Sequence, residues 1–300
     1  MSDTIAGLRR KIGSAGELRS VVRTMKAVAA SSIAQYERSV AALADYYRTV
    51  ELGLSVTFRE VEPLSAPSES QVPALPGAIA ATAATGAIVF GSDQGLVGQF
   101  NDAIADHAEA ALAALPGPVR LWAVGERVQA RLADAGRATT AMFAVPASVT
   151  GIAALVAQIL HETDVLGTRD RAAELYLFYN SPAMGAIYTP VTERLLPLDA
   201  AWRRKLTQRH WPTHNLPQVL GTASTTLRAL IGEYLFVSLF RACAESLASE
   251  NASRLAAMQR AEKNIDELLE SMNAAFYRLR QSSIDEELFD VVSGFEALSQ

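Results

Sequence analysis

The sequence predicts an α/β protein in which long N- and C-terminal helices pair as an antiparallel coiled coil beside a small central α/β domain. Three observations predict it. An apolar stripe at alternating spacings of 3 and 4 runs through residues 5–50. A second stripe occupies residues 247–298, and between the two, strand-like and helix-like stretches alternate.

The first helix is expected from about Thr4 to about Arg59. Its stripe is Ile5, Leu8, Ile12, Ala15, Arg19, Val22, Lys26, Ala29, Ile33, Tyr36, Val40, Leu43, Tyr47 and Val50. Only Arg19 and Lys26 break it. An average spacing of 3.5 held this long is the mark of a coiled coil rather than of a surface helix. Gly13 and Gly16 weaken the helix, each by about 1 kcal/mol relative to alanine, so packing against a partner must offset them.

Four prolines, Pro63, Pro67, Pro73 and Pro76, make residues 61–77 a linker. Residues 78–198 carry strand candidates at Ala87–Phe90, Val119–Val124, Thr139–Phe143, Glu174–Tyr179 and Ile187–Leu196. Helix candidates lie at Leu96–Leu115, Gly125–Ala135 and Ser148–Leu160. The alternation argues for a mostly parallel sheet, and Asn180–Ser181–Pro182 is expected to turn the last two strands into an antiparallel hairpin. Residues 199–221 are polar and proline-bearing and are expected to be irregular. The last helix, residues 222–300, has the stripe Leu247, Asn251, Arg254, Met258, Ala261, Ile265, Leu268, Met272, Ala275, Leu279. After a phase shift the stripe resumes as Ile284, Leu288, Val291, Phe295, Leu298. Two such helices at opposite ends of a chain bury each other's stripes by pairing antiparallel.

Composition narrows the function. Half of the residues are hydrophobic and the net charge is −5, which argues against a nucleic-acid binder. The lone cysteine, Cys243, permits no internal disulfide and sits in an apolar helical region, where a buried thiol is inert. No uninterrupted apolar run of about 18 residues could span a bilayer, so membrane association would run through a partner. Residues 1–38 carry a net charge of +4, while the chain after Arg280 has five acidic residues and no basic one. A basic start and an acidic end suggest partner surfaces at both termini.

Three separated motifs carry a resemblance. Leu8-Arg9-Arg10-Lys11-Ile12-Gly13-Ser14 precedes Arg23-Thr24-Met25-Lys26-Ala27-Val28-Ala29-Ala30-Ser31. Gly91-Ser92-Asp93-Gln94-Gly95-Leu96-Val97-Gly98-Gln99-Phe100-Asn101 lies in the middle. Glu245-Ser246-Leu247-Ala248-Ser249-Glu250-Asn251-Ala252-Ser253-Arg254 precedes Arg280-Gln281-Ser282-Ser283-Ile284-Asp285-Glu286-Glu287-Leu288 and Val291-Val292-Ser293-Gly294. In this order they resemble the γ subunits of F-type ATP synthases, tightly at the two ends and loosely through the middle.

The resemblance implies a non-catalytic rotor subunit without a cofactor, coupling ion translocation to ATP synthesis or hydrolysis on β subunits. The helix pair would be the axle inside a hexamer of α and β subunits. The central domain would be a foot on the membrane c-ring with the ε subunit, peripheral on the cytoplasmic face of a bacterial membrane. Arg23, Met25 and Lys26 would lie where the acidic lever of β meets the axle, with Arg254 beside Met25. Arg280, Gln281 and Asp285 would contact β near the top, and Ile284, Leu288, Val291, Val292 and Phe295 would turn in an apolar bearing. If Met25 faces Arg254, Ile5 lies near Ala274, and residues beyond about Leu279 have no partner helix within the chain. Their apolar stripe then needs a cover from elsewhere.

The sequence departs from the family at Gln94, Val97 and Gln99 in the central motif, at Arg19-Ser20 before the Met25 motif, and at Asp285. Trp202 to Pro217 and Leu235 to Phe240 also differ from the common bacterial form, as in a divergent, alternate type of F-type ATPase.

Rival readings have less support. Gly91 to Gly98 between a strand and a helix could cradle phosphate in a nucleotide-binding module with helical oligomerisation arms. Its spacing is neither of the two phosphate-loop patterns, so a tight turn with Ser92 or Asp93 capping the next helix is expected. His210 and His214 are four apart, but Pro212 keeps them off one helical face, and His107 and His161 stand alone on helices. A plain scaffold coiled coil leaves Arg19 and Lys26 on the seam, where charge costs stability, so an acidic partner is expected for them.

Overall fold

A computed structural model describes residues 4–61, 85–115, 117–163 and 174–298. Apart from Val61, the expected linker at 61–77 lies outside the described residues. The elements in order are α1 (Ile5–Val61), β1 (Thr85–Phe90), α2 (Phe100–Ala113), β2 (Val119–Val124), α3 (Glu126–Asp134) and β3 (Ala141–Phe143). They continue with α4 (Val149–Glu162), β4 (Leu175–Ala183), β5 (Ala186–Leu196), α5 (Ala200–Thr207) and α6 (Ala223–Leu298). The fold is the expected α/β one, with long first and last helices and a small central sheet.

The chain forms two compact units, Met1–Ala30 with Arg254–Gln300, and Ser31–Ser253. Each long helix contributes to both. The expected segments follow the chain, whereas compactness groups the second part of α1 and the first part of α6 with the sheet.

In the larger unit the sheet order is β3-β2-β1-β4-β5. All pairs are parallel except β4–β5. Side chains of a strand alternate between faces, so each buried strand feeds two cores. Ile88, Phe90, Trp122, Val124, Leu175, Leu177 and Tyr179 enter one core, where α4, α5 and the adjoining parts of α1 and α6 cover them. Ala87, Val89, Leu121, Ala123 and Phe178 enter the other, under α2 and α3. β1 and the inner parts of β2 and β4 are largely apolar because both faces are covered, whereas the edge strand β5 is more polar and mainly exposed or half-buried.

The hairpin differs from expectation. β4 runs through Asn180–Ser181–Pro182 to Ala183, and the turn is Met184–Gly185, with Gly185 at φ +83°. Glycine sets the turn there, and Pro182 is accommodated at a register shift between Ser181 and Ala183. The stretch expected to be irregular contains α5, capped by Asp199, whose carboxylate accepts from the Trp202 N–H at 2.8 Å.

In the smaller unit α1 and α6 run antiparallel. Arg19 pairs with Asp266 and Arg23 with Glu262, so four residues forward in α1 match four backward in α6. Ile5 lies fourteen residues before Arg19, and fourteen beyond Asp266 is Arg280. The register thus brings Ile5 level with Arg280 to within a turn, rather than with Ala274.

Candidate functional site

The α1 stripe is confirmed position by position. Leu8, Ala15, Val22, Ala29, Tyr36 and Val50 are buried, and the other eight stripe residues are half-buried. The heptad therefore specifies the buried face. The α6 stripe holds through Leu247, Asn251, Met258 and Ile265 and then drifts. Leu268 is exposed, and Leu269 packs against the cluster of Val22, Met258 and Ile265 instead. Met272 and Ala275 are half-buried again, and Leu279 is exposed.

The expected contact residues on α1 sit at an interhelical ion cluster. Arg23 Nε donates to Glu262 Oε1 at 2.7 Å, and Lys26 Nζ donates to Oε2 of the same carboxylate. Lys26 first, and then Arg23, hold the Glu262 carboxyl down to about 2. Arg19 pairs with Asp266 at 2.7 Å. The acidic partners expected for these basic residues therefore lie on α6 of this same chain. Sequence reasoning missed Glu262 and Asp266. They flank the seam position Ala261 and Ile265, where charged residues set partner and register in coiled coils. Met25 is half-buried against Val22, Met258 and Ile265, and Arg254 is half-buried on α6.

On the outer side of α1, Leu18, Val21 and Val28 are 54%, 55% and 60% exposed, and they too escaped the sequence reading. Arg280, Gln281 and Asp285 are exposed on α6. Beyond them Ile284, Leu288, Val291, Val292 and Phe295 are all exposed, Phe295 by 74%. Phe289, absent from the predicted stripe, is 72% exposed. Leu298 ends the helix, its side chain outside the described residues. Spacings of 4, 3 and 4 place Ile284, Leu288, Val291 and Phe295 on one helical face. These six apolar side chains are in water over three turns of helix, more than single scattered residues would account for.

The glycine-rich turn is a packing device. A Cβ on Gly91 would stand 2.3 Å from Val128 Cβ, and one on Gly125 (φ +114°) would stand 2.8 Å from the Ser92 backbone. The two glycines let neighbouring turns approach closely. Ser92 N–H donates to Asn101 Oδ1 and Asn101 Nδ2 donates to Ser92 Oγ, both at 2.9 Å, tying the turn to α2. Asp93 does not cap α2. Its carboxylate accepts from the N–H groups of Glu126 at the start of α3 and Val145, at 2.9 and 2.8 Å. Gln99 stands at the N-cap of α2 and makes no side-chain cap bond. Ser253 Oγ donates to the Val97 carbonyl, and Asn180 Nδ2 to the Phe100 carbonyl, so side chains of α6 and β4 bond the segment that leads from β1 into α2. These bonds lie near the carboxyl ends of β1 and β4, where the strand order reverses and where ligands usually bind in such sheets.

His107 Nε2 lies 2.8 Å from Thr192 Oγ1, a tie between α2 and β5. Cys243 is buried, and burial pushes its thiol well up. Among the described residues, no group of three or more His, Cys, Asp or Glu side chains could hold a metal. No helix among them is long and apolar enough to cross a membrane.

Comparison with known proteins gives the same picture across the whole chain. The ATP synthase gamma chain of Moorella thermoacetica is 28% identical over 298 residues, covering 97% of this chain and 98% of that one. The gamma chain of an Anaeromyxobacter species is 28% identical over 309 residues, covering 98% and 99%. Among solved structures, the rotor of the Euglena gracilis mitochondrial ATP synthase superposes with a TM-score of 0.58 at 16% identity, covering 93% of this chain and 98% of that one. The central stalk of the Tetrahymena thermophila enzyme gives 0.54 at 20% identity, covering 80% and 99%. The family model described as ATP synthase matches residues 4–298, and the chain belongs to that family.

Proposed function

We propose that the chain is the γ subunit, the central-stalk rotor, of an F-type ATP synthase. It performs no bond-making chemistry and transmits rotation between an ion-driven c-ring and the β subunits of an α–β hexamer. The paired helices are the axle. Residues 78–198 form the body of the foot, which meets the c-ring and ε, so the chain is peripheral on the cytoplasmic membrane face.

The observation that carries this reading is the exposed apolar face at Ile284, Leu288, Val291 and Phe295, on a helix whose preceding turns are paired. A contiguous exposed apolar face of that kind marks a surface that a partner covers. Arg280 and Gln281 lie just before this face and Asp285 directly after Ile284, where the α–β collar would close around α6. Each β subunit meets a different side of the asymmetric axle. Rotation shifts its nucleotide equilibrium because the β conformations bind those sides with different affinity. Arg23 and Lys26 act here as a pair already held by Glu262, presenting a partly neutralised basic surface to β.

The test is direct rotation. Met184→Cys places a thiol at a fully exposed turn, while Cys243 is buried and unreactive. A bead on that thiol, with the chain assembled into a surface-fixed α–β hexamer, should turn in one direction when ATP is added. ATP hydrolysis with a stationary bead would contradict the proposal.

A further inference from the structure

Helix α5 overlaps a stretch, Trp202 to Pro217, that departs from the common bacterial form, and its contacts are specific. At its carboxyl end, Arg59 of α1 donates to the main-chain carbonyls of Thr207 and of Arg209, the latter at 3.0 Å. Two turns earlier in α1, Glu51 accepts from Arg209 Nη2 at 2.9 Å. Glu51 is 7% exposed, and burial pushes its carboxyl up while Arg209 opposes the shift. The Trp202 ring meets Phe58 of α1 edge-on at 6.0 Å and Tyr234 of α6 at 5.0 Å. Its Nε1 also donates to Tyr234 Oη at 3.2 Å. Leu206 is buried in the core beneath.

Thus α5 is fastened to α1 by two arginines and an aromatic contact, and to α6 by one indole. The two long helices also touch directly here, as Tyr46 Oη donates to Glu233 at 2.7 Å. A third helix bound to both partners off their shared seam adds contacts that oppose splaying of the pair in this part of the chain. Charge-assisted bonds suit the task because they hold in one geometry and weaken steeply away from it.

We propose that α5 is a clasp: Glu51, Arg59 and Arg209, with Trp202 and Tyr234, position it so that α1 and α6 move as one body where force enters them from the sheet. Its mechanical role rests on the rotor reading, while its effect on the free chain does not. Arg209 and Trp202 are positioning residues, and neither belongs to the partner surfaces described above.

The test uses Arg209→Met, which deletes the charge, and Arg209→Lys, which keeps it. Amide exchange over residues 51–61 is measured in the full chain. Ions pumped per ATP are measured with the assembled enzyme in membrane vesicles. Arg209→Met should speed exchange in that segment about tenfold while residues 85–90 keep theirs. It should lower ions pumped per ATP by about twofold or more, and Arg209→Lys should recover most of both effects. If Arg209→Met does not fold, Trp202→Phe, which loses the indole donor and part of the ring that meets Phe58 and Tyr234, should show the same two changes in smaller measure. Unchanged exchange and unchanged pumping in the folded variant overturn the clasp. A wild-type chain that assembles but drives no pumping overturns the rotor reading instead.

Discussion

Lys26 and Glu262 form an interhelical ion pair, and Arg23, one turn earlier in α1, shares the same carboxylate. One acidic side chain on α6 thus gathers two basic ones and fixes how the helices slide. Its folded carboxyl is held down to about 2, below the ordinary value of 4.5. A group lowered on folding contributes stability above its unfolded value and loses it as pH falls through the folded one. Glu262→Gln should therefore be less stable than wild type at pH 6. The gap should close between about pH 4.5 and 2, as measured by chemical unfolding of the full chain. A gap independent of pH would contradict the pairing.

Two faces of α1 should respond differently to truncation. Val22 is buried against Met258 and Ile265, so Val22→Ala should cost about 2 kcal/mol of unfolding free energy. Leu18 and Val21 point outward, and Leu18→Ala or Val21→Ala should change stability by less than about 0.5 kcal/mol. On the rotor reading the outer pair should instead lower ATP yield per transported ion. Met25→Lys should do so more strongly than it destabilises the chain.

The turn after β1 offers a stability test with no bearing on partners. Asp93→Ala removes the acceptor from two main-chain N–H groups and should cost about 1–3 kcal/mol. Gly91→Ala forces a Cβ into Val128 and should be similarly harmful, about 1–3 kcal/mol by overpacking. Thermal unfolding of both variants checks the values. A neutral Asp93→Ala would mean that solvent takes over those donors.

Much of the fold was legible in the sequence because its signals are periodic. The recurrence of Leu8, Ala15, Val22, Ala29 and Tyr36 every seven residues needs no tertiary knowledge, and all five are buried. What escaped depends on contacts across the chain. Asp93 caps a helix other than the one it precedes, because β1 and β2 are neighbours and bring the start of α3 beside it. Arg19 and Lys26 were legible as charges on a seam, but that Asp266 and Glu262 face them follows only from the register. The hairpin turn was misplaced because Asn-Ser-Pro gives a stronger local turn signal than Met-Gly, whereas strand pairing carries β4 past it. The apolar end of α6 was visible as a stripe. Its exposure was expected only through the resemblance and the register that it implied.

Deleting residues from Ile284 onward removes exposed apolar side chains that have no role in the sheet core. The truncated chain should keep wild-type amide protection at 85–90 and 119–124, and should assemble into an enzyme of reduced torque. Loss of protection in those strands would mean that α6 beyond Ile284 is needed for the foot.

The central claim, that this chain is one rotor within a larger ring, is tested most directly by native mass spectrometry of the tagged chain purified from its own cells. The account predicts one copy bound with three α and three β subunits. A free chain, or a homo-oligomer carrying a small molecule, would contradict it.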